Sequence, residues 1–168
     1  MIWHEMSTSA PLIDWEKRYP YMFVHVDITL QYLSTLADYV ETTGDTAFLK
    51  AHWPGIEAAW RYSRSLVDPK TGLPAIPAGK EGQNEQAVLR DDVHLSAAWI
   101  EAANAFARLA PTHGDARLAR EGEQAAEAAR RVTARLLLWT FLALLIGAFC
   151  ASYAGTIGGR QRDHMKAV

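Results

Sequence analysis

Apolar residues recur at helical spacing along the first two thirds of the chain. The clearest series is Val26, Leu30, Leu33, Ala37 and Val40. Its steps of four and three residues place one apolar face along a helix. The sequence Thr-Thr-Gly-Asp that follows supplies a glycine stop and, at Asp45, a cap for a new helix. This pattern predicts a helical hairpin with its corner at the glycine.

The same periodicity predicts two further helices. One starts at Thr46, is expected to be interrupted or to restart at Trp53-Pro54 because proline suits a first helical turn, and continues to about Leu66. Prolines and glycines then predict a loop over residues 67–84. Asp91 and Asp92 can cap the next helix. That helix is expected to reach Pro111 with one shared apolar face: Leu95, Trp99, Ala102, Phe106 and Leu109.

A different pattern occupies the C-terminal end, "ARLLLWTFLALLIGAFCASYAGTIGGRQRD". Its residues 136–159 are 24 positions without Asp, Glu, Lys, Arg or His. As a helix they reach roughly 36 Å, enough to cross a hydrocarbon core of about 30 Å. Basic residues flank both ends: Arg130, Arg131 and Arg135 before the run, Arg160, Arg162 and Lys166 after it. We expect a transmembrane helix, with a buried core helix as the alternative.

Small residues recur every four positions within this run: Ala143, Gly147, Ala151, Gly155 and Gly159. Such spacing lets two membrane helices approach closely, so a homo-oligomer formed through this stripe is an expected assembly. The Ala-rich segment before the run, with Glu127 and Arg131 at i,i+4, is expected to continue the helix into water. The expected domains are a helical domain at 1–112, an Ala/Glu/Arg-rich helical connector at 113–135, a transmembrane helix at 136–159 and a basic tail at 160–168.

Charge and composition narrow the classes of function. A net charge of -2, with both signs spread along the chain, leaves no basic face for nucleic-acid phosphates. Cys150 is the single cysteine and cannot form an internal disulfide. The N-terminal residues have no basic region followed by an apolar stretch, so no cleavable export signal is predicted. His4-Glu5 lacks a second histidine at position 8, where Thr8 stands, and the six histidines show no ligand spacing; neither a metal nor a cofactor is predicted.

The absence of period-two alternation predicts an all-α fold, and three stretches within it resemble a known family. They are "WHEMSTSAPLIDWEKRYPYMFVHVDIT", "DYVETTGDTAFLKAHWPGIEAAWRYSRSLVDPKTGLP" and "GKEGQNEQAVLRDDVHLSAAWIEAANAFARLA". Over about residues 2–110 they resemble bacterial glycogen-debranching, amylo-α-1,6-glucosidase-like proteins of the six-hairpin (α/α) toroid class. The matching motifs are, in order, His4-Glu5 with Ser7, Trp15, Tyr19 to Tyr21, Asp27, Thr43 to Asp45, and Gly72 to Pro74. The resemblance implies a partial (α/α) toroid of antiparallel helical hairpins, followed here by one long transmembrane helix.

The chemistry of that family requires two carboxyl groups. One protonates the leaving oxygen, and the other activates water or attacks carbon. The resemblance places the general acid at Glu81, with Glu85 as a neighbour and with a solvated loop glutamate as the alternative. Burial would have to raise the pKa of Glu81 for it to hold a proton near neutrality. The second carboxylate of the family lies on a late hairpin, beyond the point where this chain becomes apolar, so we expect catalysis to be incomplete.

The resemblance also implies binding of an α-glucan or oligosaccharide. The substrate-binding residues it implies are His4, Glu5, Trp15, Tyr21 and Asp27. Of these, Trp15 and Tyr21 would stack on a pyranose face and Asp27 would bind sugar hydroxyls.

Three interpretations of function follow. The first is a fragment of a glycoside hydrolase-like domain of the α-glucosidase or debranching type, tethered to a membrane and incomplete as an enzyme by itself. The second is a small membrane protein that acts through transmembrane helix pairing, with the soluble part as an assembly module. The third is a joined reading frame without a selected function. The apolar run resembles the C-terminal ends of small bacterial inner-membrane proteins, so the expected location is that membrane, crossed once; orientation, substrate linkage and stereochemical outcome stay open.

Overall fold

A computed structural model describes residues 25–77 and 93–165, with side chains described as far as residue 157. Within these ranges the fold is all-α, as the helical periodicity predicts, and no strand forms. The helices are α1 (Asp27–Thr43), α2 (Thr46–Ser65), α3 (Val93–His113) and α4 (Ala116–Met165). The chain divides into two compact units, Met1–Val132 and Thr133–Val168, which we call the first and the second unit.

Two Gly-Asp corners end helices in the first unit. Gly44 adopts a left-handed φ of 68° after α1, and its N–H donates to the Val40 carbonyl at 2.8 Å. Asp45 then caps α2 by accepting from the Phe48 N–H at 2.9 Å. After α3, Gly114 has a φ of 102°, and Asp115 caps α4 by accepting from the Leu118 N–H at 2.9 Å. The first corner confirms the predicted hairpin; the second joins α3 directly to α4.

Both prolines within helices differ from their predicted roles. The expected interruption at Trp53-Pro54 does not occur, and α2 is continuous through Pro54. Proline removes one N–H, which leaves the Lys50 carbonyl without its helical donor, but Lys50 is exposed and water can replace that donor. Helix α3 likewise continues through Pro111 to His113.

The core of the first unit is formed by the apolar faces that the sequence pattern predicts. All five residues of the α1 series and all five of the α3 series are buried: Val26, Leu30, Leu33, Ala37, Val40, Leu95, Trp99, Ala102, Phe106 and Leu109. Between α2 and α3, aromatic rings form a column in which Trp60 stacks on Trp99 at 5.3 Å and on Phe106 at 4.4 Å. Phe106 in turn lies 5.8 Å from Trp53. This column fixes the two helices against each other.

The first part of α4 belongs to the same core. Leu118, Ala119, Ala126 and Ala129 are buried in it. Gly122 permits the close approach, because a Cβ there would lie 3.0 Å from both the Ala103 carbonyl oxygen and the Ala107 nitrogen. Part of the segment 113–135, expected as a connector, therefore supplies packing to the first unit, and α3 runs antiparallel to this first part of α4.

The second unit is helical throughout its described residues, and its apolar side chains are exposed. Leu138, Ile146 and Phe149 leave 56%, 61% and 74% of their surface open. Among the described residues, one helix is long and apolar enough to span a membrane, and its most apolar stretch is not buried inside the protein.

Candidate sugar-binding site

Asp27 is the one predicted site residue that lies within the described part of the chain. The other residues assigned by the family resemblance lie outside the described residues: His4, Glu5, Trp15, Tyr21 and Glu81. Glu85 and the expected caps Asp91 and Asp92 also lie outside them.

Asp27 is the first residue of α1 and is 8% exposed. Its Oδ2 accepts a hydrogen bond from Gln31 Nε2 at 3.0 Å. Its Oδ1 is buried and, among the described residues, has no hydrogen-bond partner. A buried acceptor without a donor is costly, and the helix N-terminus stabilises the carboxylate that carries it. Asp27 Oδ1 thus has unused hydrogen-bonding capacity at a buried position.

Gln31 connects Asp27 to an apolar groove of about 550 Å³ on α1 and α2. Three aromatic side chains line this groove: Tyr32, Tyr39 and Phe48. Tyr39 and Phe48 pack edge to face with ring centroids 5.3 Å apart, and partial burial raises the pKa of Tyr32. Rings on an open groove can pack against the apolar face of a sugar ring.

Sequence reasoning did not select Tyr32 and Tyr39 as site residues. They are seven positions apart and therefore share one side of α1, next to the predicted apolar face. That spacing is a detectable signal, but it is also the spacing of ordinary core residues. Their arrangement with Phe48 of α2 around one groove becomes visible only in three dimensions.

The Thr43–Asp45 motif has a structural role. Asp45 Oδ2 accepts a hydrogen bond from the Tyr39 hydroxyl at 3.0 Å, while Oδ1 accepts one from the Phe48 N–H. The backbone hydrogen bond from Phe48, followed by the bond from Tyr39, holds the pKa of Asp45 below its usual value. Both carboxylate oxygens are thus engaged in closing the corner between α1 and α2.

The Gly72–Pro74 motif forms a closed turn after α2. Gly72 has a φ of 70°, and the Asp68 carboxylate accepts from the Lys70 N–H at 2.8 Å. The Ala75 N–H donates to the Leu66 carbonyl at 2.9 Å, which brings the buried Ile76 side chain onto the core. The turn leads into residues 78–92, which contain Glu81 and lie outside the described residues.

A second, more polar groove of about 730 Å³ lies on α3 and α4. Arg130 donates from Nη2 to the Asn104 Oδ1 at 2.7 Å, and Arg108 pairs with Glu41. Both arginines of the groove therefore have partners within the protein. The same groove is also lined by the exposed carboxylates of Glu101 and Glu123.

The described residues supply an unpaired carboxylate oxygen at Asp27 and an aromatic groove, whereas Glu81, the expected general acid, lies outside them. In residues 25–77 and 93–157, no cluster of three or more His, Cys, Asp or Glu side chains is placed to hold a metal ion. A scan of the sequence against protein-family models finds no match, and searches of curated proteins and of solved structures find none either.

Proposed function

We propose that this chain is a membrane-anchored helical domain whose apolar run crosses a bacterial inner membrane once. The observation that carries the proposal is the exposure of the large apolar side chains along residues 136–157 of α4. Exposed apolar surface on this scale is unfavourable in water and favourable in lipid. The run exceeds the thickness of a hydrocarbon core.

Two threonines in the run support placement in lipid. The Thr140 hydroxyl donates to the Leu136 carbonyl and the Thr156 hydroxyl to the Ser152 carbonyl, each at 2.9 Å. Each polar hydrogen is therefore satisfied within the helix, as a spanning segment requires.

Membrane fractionation tests the anchor. After expression in bacteria, the full chain should stay in the inner-membrane pellet through alkaline carbonate extraction. Ile146→Arg combined with Phe149→Arg places two charges at the centre of the run and should move most of the protein out of that pellet. Ile146→Val combined with Phe149→Leu is the matched control. Release of the parent chain by carbonate would reject the proposal.

Protease protection tests the single crossing. Tags at the two ends of the full chain should be digested from opposite sides of sealed inner-membrane vesicles. Digestion of both tags from the same side would contradict one crossing.

We further propose that the helical unit is a partial (α/α) toroid of the glycoside hydrolase type that retains sugar binding and is catalytically incomplete alone. Asp27 supports the binding function, because its buried Oδ1 has no hydrogen-bond partner among the described residues. The lack of a second assigned catalytic carboxylate supports the incompleteness.

Calorimetric titration of the purified full chain with a maltooligosaccharide tests sugar binding. Asp27→Asn should abolish the binding heat, whereas Asp38→Asn, an exposed acid on the same helix, should leave it unchanged. Identical titrations of the parent chain and Asp27→Asn would reject the assignment of Asp27. Hydrolysis of the same sugar, lost in Glu81→Gln, would reject catalytic incompleteness.

Transmembrane helix pairing is a second candidate function. Gly147 and Gly155 support it, because a Cβ at either position would meet nothing within 4 Å and the stripe is open to a neighbour. Gly147→Leu or Gly155→Leu should convert detergent-solubilised oligomers to monomers in light scattering. Phe149→Ala, on the opposite side of the helix, should leave the oligomers intact. Oligomers that survive both glycine substitutions would exclude pairing through this stripe.

A further inference from the structure

The boundary between the soluble sequence and the apolar run is marked by Arg135 and Trp139, both in the second unit. They are four residues apart on α4, so their side chains lie on the same side of the helix and about 6 Å apart along its axis. Both are exposed, Trp139 to 69%. Arg135 directly precedes Leu136, the first residue of the run.

The charge of Arg135 is uncompensated within the described residues. No ion pair or hydrogen bond forms there between its side chain and another residue, whereas Arg131 pairs with Glu127 at 2.8 Å. The sequence from residue 128 to residue 162 contains neither Asp nor Glu, so α4 offers no acid within a turn of Arg135. The described residues therefore supply no anion to this guanidinium, which can form charge-assisted hydrogen bonds with an anion in its surroundings.

The indole of Trp139 identifies the type of surface that supplies the anion. Tryptophan concentrates at membrane interfaces, where its ring meets the acyl chains and its N–H meets the headgroups. Arginine beside it can extend its charged end to the headgroup level while its stem stays in apolar surroundings. An exposed Trp and an unpaired Arg on one side of an apolar helix match the chemistry of a phospholipid headgroup.

We propose that Arg135 and Trp139 bind the phosphate of an anionic phospholipid at the start of the membrane run. The guanidinium makes charge-assisted hydrogen bonds to the phosphate oxygens, and the indole N–H donates to the same headgroup. This inference rests on the proposed membrane anchor and adds a preference for anionic over zwitterionic lipid.

Lipid retention tests the preference. The full chain is reconstituted in mixed phosphatidylglycerol and phosphatidylcholine vesicles and purified in mild detergent, and the lipid retained is measured by native mass spectrometry. Phosphatidylglycerol should be enriched about fivefold over its share of the vesicle, as expected for one arginine at an anionic surface. Arg135→Gln should remove the enrichment, Arg135→Lys should retain most of it, and Trp139→Leu should reduce it.

Arg120→Gln is the matched control, because Arg120 is another exposed arginine on α4 without an ion pair among the described residues. It should retain the full enrichment. Enrichment that persists in Arg135→Gln, or that falls equally in Arg120→Gln, would overturn the proposal. Inorganic phosphate, at matched ionic strength with chloride, should not displace the lipid; displacement would assign the site to free phosphate.

Carbonate extraction of the same preparations separates this inference from the anchor on which it rests. An integral protein without phosphatidylglycerol enrichment would overturn the headgroup site alone. A protein released by carbonate would overturn both.

Discussion

Trp60 and Glu121 join α2 to the first part of α4 through a hydrogen bond of 3.2 Å from the indole Nε1 to the carboxylate Oε1. Trp60 is fully buried in the aromatic column, so its N–H has no access to water. The same carboxylate also pairs with Arg64 and, at 3.3 Å, with Arg117. Glu121 is thus the shared acceptor for three donors, of which the buried indole is the most dependent on it.

Removing the Glu121 carboxylate should destabilise the first unit chiefly through Trp60. Glu121→Ala leaves a buried N–H without an acceptor and should lower the free energy of unfolding by about 1–3 kcal/mol. Glu121→Gln keeps an oxygen for the indole and loses only ion pairs with exposed arginines, so it should cost less than about 1 kcal/mol. Denaturant unfolding in detergent micelles, followed by tryptophan fluorescence, measures the difference.

Glu57→Ala is the control for the loss of a surface ion pair. Its partner Arg61 is 75% exposed, and the pair joins residues four apart on α2. This change should cost only about 0.5 kcal/mol. Equal losses in Glu121→Ala and Glu121→Gln would show that the indole does not depend on the carboxylate.

The close contact at Gly122 leads to a second prediction, about the stability of the packing of α4 on α3. Alanine in place of a helical glycine usually stabilises, by roughly 0.5–1 kcal/mol. At Gly122 the added Cβ would press on backbone atoms of α3, so Gly122→Ala should instead destabilise by about 1–3 kcal/mol. Gly55→Ala, in α2, meets nothing within 4 Å and should stabilise. Thermal unfolding by circular dichroism in micelles should give opposite signs for the two variants, and the same sign would contradict this packing.

The helical faces could be predicted because large apolar side chains carry a strong periodic signal. The α1 and α3 faces consist mainly of Leu, Val, Trp and Phe, and their burial follows the pattern residue by residue. The packing of α4 could not be predicted in the same way, since Gly122, Ala126 and Ala129 are small and an Ala-rich sequence looks like a solvated connector. The Gly114-Asp115 corner carries the same signal as Gly44-Asp45 but follows Pro111, at which the helix was expected to end.

Of the residues that form the candidate site in the described part of the chain, only Asp27 was predicted from the sequence. Asp27 was selected from a motif, yet its unpaired Oδ1 depends on how Gln31 and the core surround it. The Thr43–Asp45 and Gly72–Pro74 motifs were predictable as turns, because glycine and aspartate have local effects on the backbone. The groove at Tyr32 and Tyr39 depends on contacts between two helices, which sequence spacing does not specify.

Substitutions at Gly44 test how much the left-handed backbone at this corner contributes to the free energy of unfolding. Its φ of 68° disfavours any residue with a Cβ, although a Cβ there would meet nothing within 4 Å. Gly44→Ala should therefore lower the free energy of unfolding by about 1–2 kcal/mol through backbone strain alone. Gly44→Asn should lower it less, because asparagine tolerates this conformation better. Chemical unfolding in micelles measures both, and a neutral Gly44→Ala would contradict the left-handed assignment.

The Asp45 carboxylate should make the free energy of unfolding depend on pH in acid. The backbone bond from Phe48 and the bond from Tyr39 lower its pKa in the fold, so folding favours the charged carboxylate. The stability that this carboxylate contributes is therefore present above its unfolded pKa and is lost as the pH falls through the lower folded value. Asp45→Asn keeps a capping oxygen but has no charge to titrate. The parent chain should be more stable than Asp45→Asn at neutral pH, and the gap should narrow as the pH falls below about 4.

The comparison isolates Asp45 because every other carboxylate titrates in both proteins. Unfolding free energies are measured for the parent chain and Asp45→Asn in micelles from neutral pH to pH about 3, where the Asp side chains of the unfolded chain are largely protonated. Asp38→Asn, which removes an exposed acid from α1 without touching the cap, is the control for the loss of a carboxylate. A difference between the parent chain and Asp45→Asn that does not change with pH would show that the Tyr39–Asp45–Phe48 corner does not favour the ionised carboxylate, and that Asp45 caps α2 equally well in either protonation state.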